Sequence, residues 1–196
     1  MRRFLASAFA ATLVVFALAA ATSGAEAETA TIETDLGTIT VALDSAAAPK
    51  TVANFIAYAK EGHFDGTVVY RVVPGFVIQM GSYDATGNPR AEHAPIPLES
   101  GNGLKNLRGT LSMARGDDPT SATAEFFINL SDNTDALDPK PDAAPNTTGY
   151  AVFGKVTGGQ DVVDKIAASV LNGGKGPFPD AAPAFPVTIH KVTVGP

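Results

Sequence analysis

Apolar and polar positions alternate in short runs along most of the chain, and in two stretches the period lengthens to that of a helix. In residues 29–43 (TATIETDLGTITVAL), Ile32 stands between Thr31 and Glu33, Asp35-Leu36-Gly37 interrupts, and Ile39 and Val41 resume the alternation. This predicts a β-hairpin around a glycine-containing turn. In APKTVANFIAYAKEGH the residues Val52, Phe55, Ile56 and Ala59 fall at i, i+3, i+4 and i+7, with Pro49 suited to the first turn and Gly62 to the stop. A helix of about three turns is expected there, laying one face on a sheet. The stretch VVYRVVPGFVIQMG, residues 68–81, reads as two strands around Pro74-Gly75, with Arg71 in one half and Gln79 in the other. Residues 82–106 are polar and broken by glycine and proline, as a long surface loop would be. Short strands are expected at 109–114, 125–130 and 150–156, with a turn-rich, mobile interval at 131–149. A second helix is expected at 159–170, with Val162, Val163, Ile166, Ala167 and Val170 on one side. The terminal strand runs through Val187 and Ile189, slips one place at His190-Lys191 and resumes at Val192 and Val194, which marks a β-bulge. Short strands with two helices predict one domain, an antiparallel barrel or sandwich plugged by helices.

The first 27 residues stand apart from this pattern. Met1-Arg2-Arg3 precedes an uncharged apolar run, FLASAFAATLVVFALAAA, and Ala25-Glu26-Ala27 has the small-x-small form of a signal-peptidase site. Residues 1–27 are therefore expected to be a cleaved export signal, and 28–196 the working domain. A membrane anchor is the alternative, disfavoured because the run is near the lower length limit for a span and no Lys/Arg cluster follows it. Arg2-Arg3 is too little for a twin-arginine signal, and with no cysteine in the chain there is nothing to acylate. The same absence removes disulfides, thiol catalysis and zinc–thiolate sites. The net charge of −6 becomes more negative once Arg2, Arg3 and Glu26 are gone. Such a domain is a poor partner for nucleic acid, repels anionic lipid, and is expected to be a soluble monomer with no stable membrane association. The expected location is a bacterial periplasm, with secretion to the medium as the alternative.

Most catalytic constellations are missing. None of the three histidines, His63, His93 and His190, has a second potential metal ligand at the usual spacing, so no metal site is expected. No G-x-S-x-G, P-loop or dinucleotide fingerprint occurs. A hydrolase would have to rely on His93 near Ser100, and Asp117-Asp118 in GDDP reads as a solvated turn. What remains is a set of apolar and aromatic residues with a few neutral or cationic donors.

Five motifs recur in the order of one family. They are FDGT with YRV (64–67, 70–72), PGFVIQ (74–79), GTLSMA (109–114), EFFI (125–128) and VFGKV (152–156). Together they span nearly all of the chain from Thr29 to the terminal strand, and the chain resembles a cyclophilin, closest to the periplasmic bacterial branch. The resemblance implies a mainly β fold, a closed eight-stranded antiparallel barrel capped by two α-helices. It also implies peptidyl-prolyl cis-trans isomerase activity, without cofactor, on proline-containing unfolded or extended polypeptides. By the family pattern Arg71 is the main catalytic group, with Phe76 and Gln79 beside it. Phe76, Val77, Met113, Phe127 and Leu137 match the lining of the proline pocket, and Ala114 and Arg115 match the edge that pairs with the peptide backbone. Phe126 and Phe153 read as ordinary core aromatics. Tyr70 and Tyr150 stand where many members have histidine, each keeping an aromatic wall with a polar tip. Ala136 stands where many have tryptophan, which implies weak cyclosporin binding. Glu125 replaces the usual glutamine; a carboxylate cannot donate to a substrate carbonyl unless protonated, and pairing with Arg71 or Arg115 would either hold or block the guanidinium. A proline-segment-binding chaperone with little turnover is the alternative function. Strand alternation expects Val69, Arg71 and Val73 on one face and Val77 with Gln79 on one face of the next strand, the turn deciding whether Arg71 and Gln79 converge.

Overall fold

The computed structural model describes residues 28–140 and 148–196. The expected export signal, and residues 141–147 of the turn-rich interval, lie outside the described residues. The expected hairpin forms as β1 (Thr29–Thr34) and β2 (Gly37–Leu43), with Ile32 and Ile39 cross-strand partners. Strands β3 (Thr67–Val73) and β4 (Val77–Asp84) are the two halves of the arginine-bearing hairpin. β5 (Thr110–Met113), β6 (Phe126–Asn129), β7 (Val152–Gly158) and β8 (Ile189–Gly195) follow.

All ladders are antiparallel, in the order β3-β4-β6-β5-β7-β2-β1-β8. This corrects the expected closed barrel to a curled half-barrel. The edge strands β3 and β8 meet through a single bridge, Val68 to Thr188, with Val69 N–H donating to the Val187 carbonyl and Gly66 N–H to that of Ile189. No continuous ladder joins them: they are the two ends of the strand order, and β8 proper begins after Thr188. The bulge expected in the last strand is present: Glu33 pairs with Lys191 but Thr34 with Ile189, leaving His190 as the extra residue.

Helix α1 (Pro49–Lys60) buries Val52, Phe55, Tyr58 and Ala59 against the concave side, with Ile56 partly buried beside them. Its first N–H groups have no local side-chain cap. The Glu99 carboxylate supplies one from the long loop, accepting from Lys50 N–H at 3.2 Å and from Thr51 N–H and Oγ1 at 2.8 Å each. An anion at a helix N-terminus is favoured by both the orphan donors and the dipole. α3 (Gln160–Ala167) is shorter than expected and buries Val162, Val163 and Ile166; Val170 lies beyond it and is exposed. A single-turn helix α2 (Thr134–Leu137), which has no apolar period of its own, occupies part of the turn-rich interval.

Phe55 sits at the centre of the core, with ring centroids 5.2 Å from Phe64, 5.4 Å from Phe126 and 5.4 Å from Phe153. The rings join α1 to the sheet. Phe55→Ala is expected to cost about 3–5 kcal/mol, the range for emptying a buried aromatic site. Urea unfolding of the domain checks this, and a loss under about 1 kcal/mol would show that the cluster does not tie the helix to the sheet.

Candidate active site

The register of β3 on β4 decides which side chains leave the core. Val69 pairs with Met80 but Arg71 with Gln79, so β3 carries one extra residue, Tyr70. Val69 and Val72 consequently face the core, and Tyr70 and Arg71 both leave it. The expected grouping of Val69 with Arg71 fails for this reason, because a bulge interrupts the period of two. The convergence of Arg71 and Gln79 holds. Arg71 Nη1 donates to Gln79 Oε1 at 3.0 Å.

From that pair a row runs across the outer face. Gln79 is the cross-strand partner of Phe127, and Val77, two residues earlier on β4, shares its side. Val77, Ala114, Phe127 and Leu137 form an apolar cluster separate from the main core, with Phe76 and Tyr150 packed on it. Phe127 and Tyr150 meet edge to face at 5.6 Å. Arg115 lies over the Tyr150 ring, its Cζ 4.7 Å from the centroid, and donates through Nε to the Gly149 carbonyl. Ala136 is exposed on α2 next to the buried Leu137. Met113 is not part of this set: it pairs with Phe126 across β5 and β6 and joins the main core, because alternation sends these partners inward and Phe127 outward.

Glu125 pairs with neither arginine. Its Oε2 accepts from Tyr70 Oη at 2.6 Å and from Gln79 Nε2 at 3.0 Å. Burial pushes the Glu125 carboxyl above the ordinary carboxylate range, the two donated hydrogen bonds opposing and nearby Glu92 adding to the rise. Tyr70 is 1% exposed, and burial followed by the Glu125 charge holds its phenol strongly protonated. Tyr70 is thus a buried support beneath the site, where the resemblance implied an aromatic wall with a polar tip. The approach of Glu125 depends on Gly81 (φ +120°), where a Cβ would lie 2.7 Å from the Ala124 carbonyl oxygen.

A buried polar network underlies the apolar cluster. Asn133 Nδ2 donates to the Phe76 carbonyl and to Asn129 Oδ1, each at 2.8 Å, and Asn106 Oδ1 accepts from Ser112 Oγ at 2.7 Å and from Asn129 Nδ2 at 3.2 Å. These asparagines fix the backbone at Phe76 and, through the bond from Leu137 N–H to the Asn133 carbonyl, at Leu137. Sequence reading missed them, and it missed Phe178, whose ring lies 5.1 Å from Arg71 Cζ. Asparagines in loops, or at a strand end as Asn129 is, carry no periodic signal, and Phe178 lies more than a hundred positions from Arg71. The hydrolase pair does not assemble: His93 Nε2 is 2.9 Å from Glu61, and Ser100 Oγ donates to the Thr148 carbonyl.

Comparison with known proteins agrees with this architecture. Residues 29–194 match the family model described as cyclophilin type peptidyl-prolyl cis-trans isomerase/CLD. A peptidyl-prolyl cis-trans isomerase of Streptomyces antibioticus is 44% identical over 85% of this chain and 98% of its own length. Peptidyl-prolyl cis-trans isomerase B of Escherichia coli is 44% identical over 84% and 98%, and isomerase A of Dickeya dadantii 39% over 94% and 95%. A cyclophilin type isomerase of Cryptosporidium parvum, crystallised in the presence of the dipeptide Ala-Pro, shares the fold with a TM-score of 0.69 at 23% identity, over 86% of this chain and 99% of that one. With these matches over nearly all of residues 29–194, the chain belongs to the cyclophilin type peptidyl-prolyl cis-trans isomerases.

Proposed function

We propose that this chain accelerates cis–trans isomerisation of X-Pro bonds in exported polypeptides during their folding, with Arg71 as the catalytic group. The observation that carries this is the Arg71 guanidinium, held by Gln79 beside the cluster of Val77, Phe127, Leu137, Phe76 and Tyr150. Rotation about X-Pro has a barrier on the order of 20 kcal/mol because amide resonance must be broken. Lowering it takes no nucleophile or acid–base pair, only a site that binds the twisted amide better than either planar form. In the twisted amide the prolyl nitrogen regains its lone pair, and a guanidinium N–H aimed there forms a hydrogen bond that exists only near the transition state. The apolar cluster holds the proline ring, while Ala114 and Arg115 offer the edge along which an extended peptide lies. The leader at residues 1–27 supports export, and the periplasm is the compartment that follows.

Glu125 orients rather than competes. A carboxylate only accepts, so Gln79 must turn Nε2 toward it, which leaves Oε1 for Arg71. The remaining guanidinium donors stay available to substrate.

Arg71→Ala is expected to lower kcat/KM on proline peptides by about 10²–10³-fold, the scale for losing one transition-state donor. Proline-limited refolding and a peptide isomerisation assay read this directly. A variant as fast as wild type would remove Arg71 from the catalytic role.

Glu125→Gln tests the buried carboxyl. Because its folded-state pKa is raised, the native state binds the proton more tightly than the unfolded chain, and this site's contribution to stability falls as pH rises through that window. The glutamine keeps one oxygen to accept from Tyr70 and Gln79. Its Tm is therefore expected to exceed wild type at pH 7, with the gap closing toward about pH 3, below the ordinary glutamate value of about 4.3, where the wild-type carboxyl is protonated in both states. Activity should change by only a few-fold; a large gain in kcat/KM would mean that the carboxylate competes with substrate.

Ala136 leaves bare the spot beside Leu137, and cyclosporin is expected to bind weakly. Ala136→Trp should tighten it by an order of magnitude or more with little change in turnover, the scale of an added aromatic contact. Nanomolar inhibition of the unmodified protein would overturn this.

A further inference from the structure

The segment joining α3 to β8 folds back over the site. At its base Asn172 N–H donates to the Ala182 carbonyl at 3.2 Å and Ala184 N–H to that of Val170 at 2.7 Å, with Leu171 bridged to Pro183. Further along, Gly176 lies against Gly87 of the loop after β4, so close that a Cβ on Gly87 would come 2.6 Å from the Gly176 nitrogen. A short 3-10 turn, Pro179–Ala181, packs on β3. Phe178 stands between these anchors. Its ring is near-parallel to Tyr70 (14°, centroids 6.3 Å apart) and covers the face of the Arg71 guanidinium. Gln79 holds an edge of that guanidinium, and the ring lies across its face.

Phe178 is nevertheless 42% exposed. A large apolar side chain held in place by a pinned loop, half covered and half wet, is a surface ready to take another apolar group. Its position specifies which one. The outer-face row runs from Ala114 through Phe127 and Gln79 to Arg71, and Phe178 lies at the Arg71 end, away from the apolar cluster. A peptide whose proline fills that cluster and whose prolyl nitrogen faces Arg71 must send one flank over Phe178.

We propose that Phe178 is a specificity-determining residue, one wall of a subsite that takes an apolar, above all aromatic, side chain adjacent in sequence to the bound proline. This rests on the reading that Arg71 faces the prolyl bond.

Two peptide series test it, one varying the residue before proline and one the residue after it among Gly, Ala, Leu and Phe, with kcat and KM measured separately. The wild-type domain is expected to favour Phe over Gly by about tenfold in one series, the low end of what an apolar contact discriminates. Phe178→Ala should bring that ratio near one, mainly by raising KM for the Phe peptide, while Phe178→Tyr retains it. Turnover of the Gly peptide should survive in Phe178→Ala but not in Arg71→Ala, which separates failure of this proposal from failure of the arginine assignment. Unchanged ratios in Phe178→Ala, or a uniform loss across all peptides, would overturn the subsite. Phe178 lies outside both buried clusters, so melting curves of the variants should match wild type; a large drop in Tm would assign it a structural role instead.

Discussion

The extra residue in β3 is the constraint on which the site depends. Without it, Arg71 would share a face with Val69 and point into an aromatic core, where an unpaired guanidinium is not tolerated. The bulge at Tyr70 lets Val69 and Val72 remain inside while two successive residues leave the core together. One of them becomes the half-buried donor beside Gln79, and the other a buried phenol that reaches Glu125.

The central strands serve two interiors at once. β4 alternates Val77, Ile78, Gln79 and Met80 between the outer cluster and the main core, and β6 does the same with Phe126 and Phe127. A site built on such strands inherits their rigidity: no side chain of the row can shift without moving a core partner on the same backbone. Where regular structure ends, at Phe76 and Leu137, the Asn106–Asn129–Asn133 network does the positioning. It works because each buried amide finds its complement.

Tyr70 and Glu125 are best understood together. A carboxylate at position 125 needs donors to remain in a half-buried place, and Tyr70 Oη and Gln79 Nε2 provide them. Two of the four residues at which the resemblance showed departures are hydrogen-bonded to each other, so these two compensate locally. The guanidinium is left to Gln79 and Phe178, neither of which carries a charge that would neutralise it.

Much of this was legible in the chain itself. Periodicity placed α1 and the strands, and the slip at His190-Lys191 announced its bulge, because both follow from local spacing of apolar residues. The five motifs named the family and, with it, Arg71, Gln79 and Phe127. The pocket role that the resemblance gave Met113 ran against the alternation of Thr110-Leu111-Ser112-Met113, which puts Met113 with Leu111 on the core face. Two things were not legible. Alternation alone could not reveal the bulge at Tyr70, since VVYRVV is apolar on both sides of the arginine and either register buries valine. And it could not pair Glu125 with Tyr70, or Phe178 with Arg71, since those contacts join segments far apart in sequence. The sequence by itself determined the elements and the inventory of chemical groups. Tertiary structure decided which groups meet, because register and loop closure are set by packing across the whole sheet.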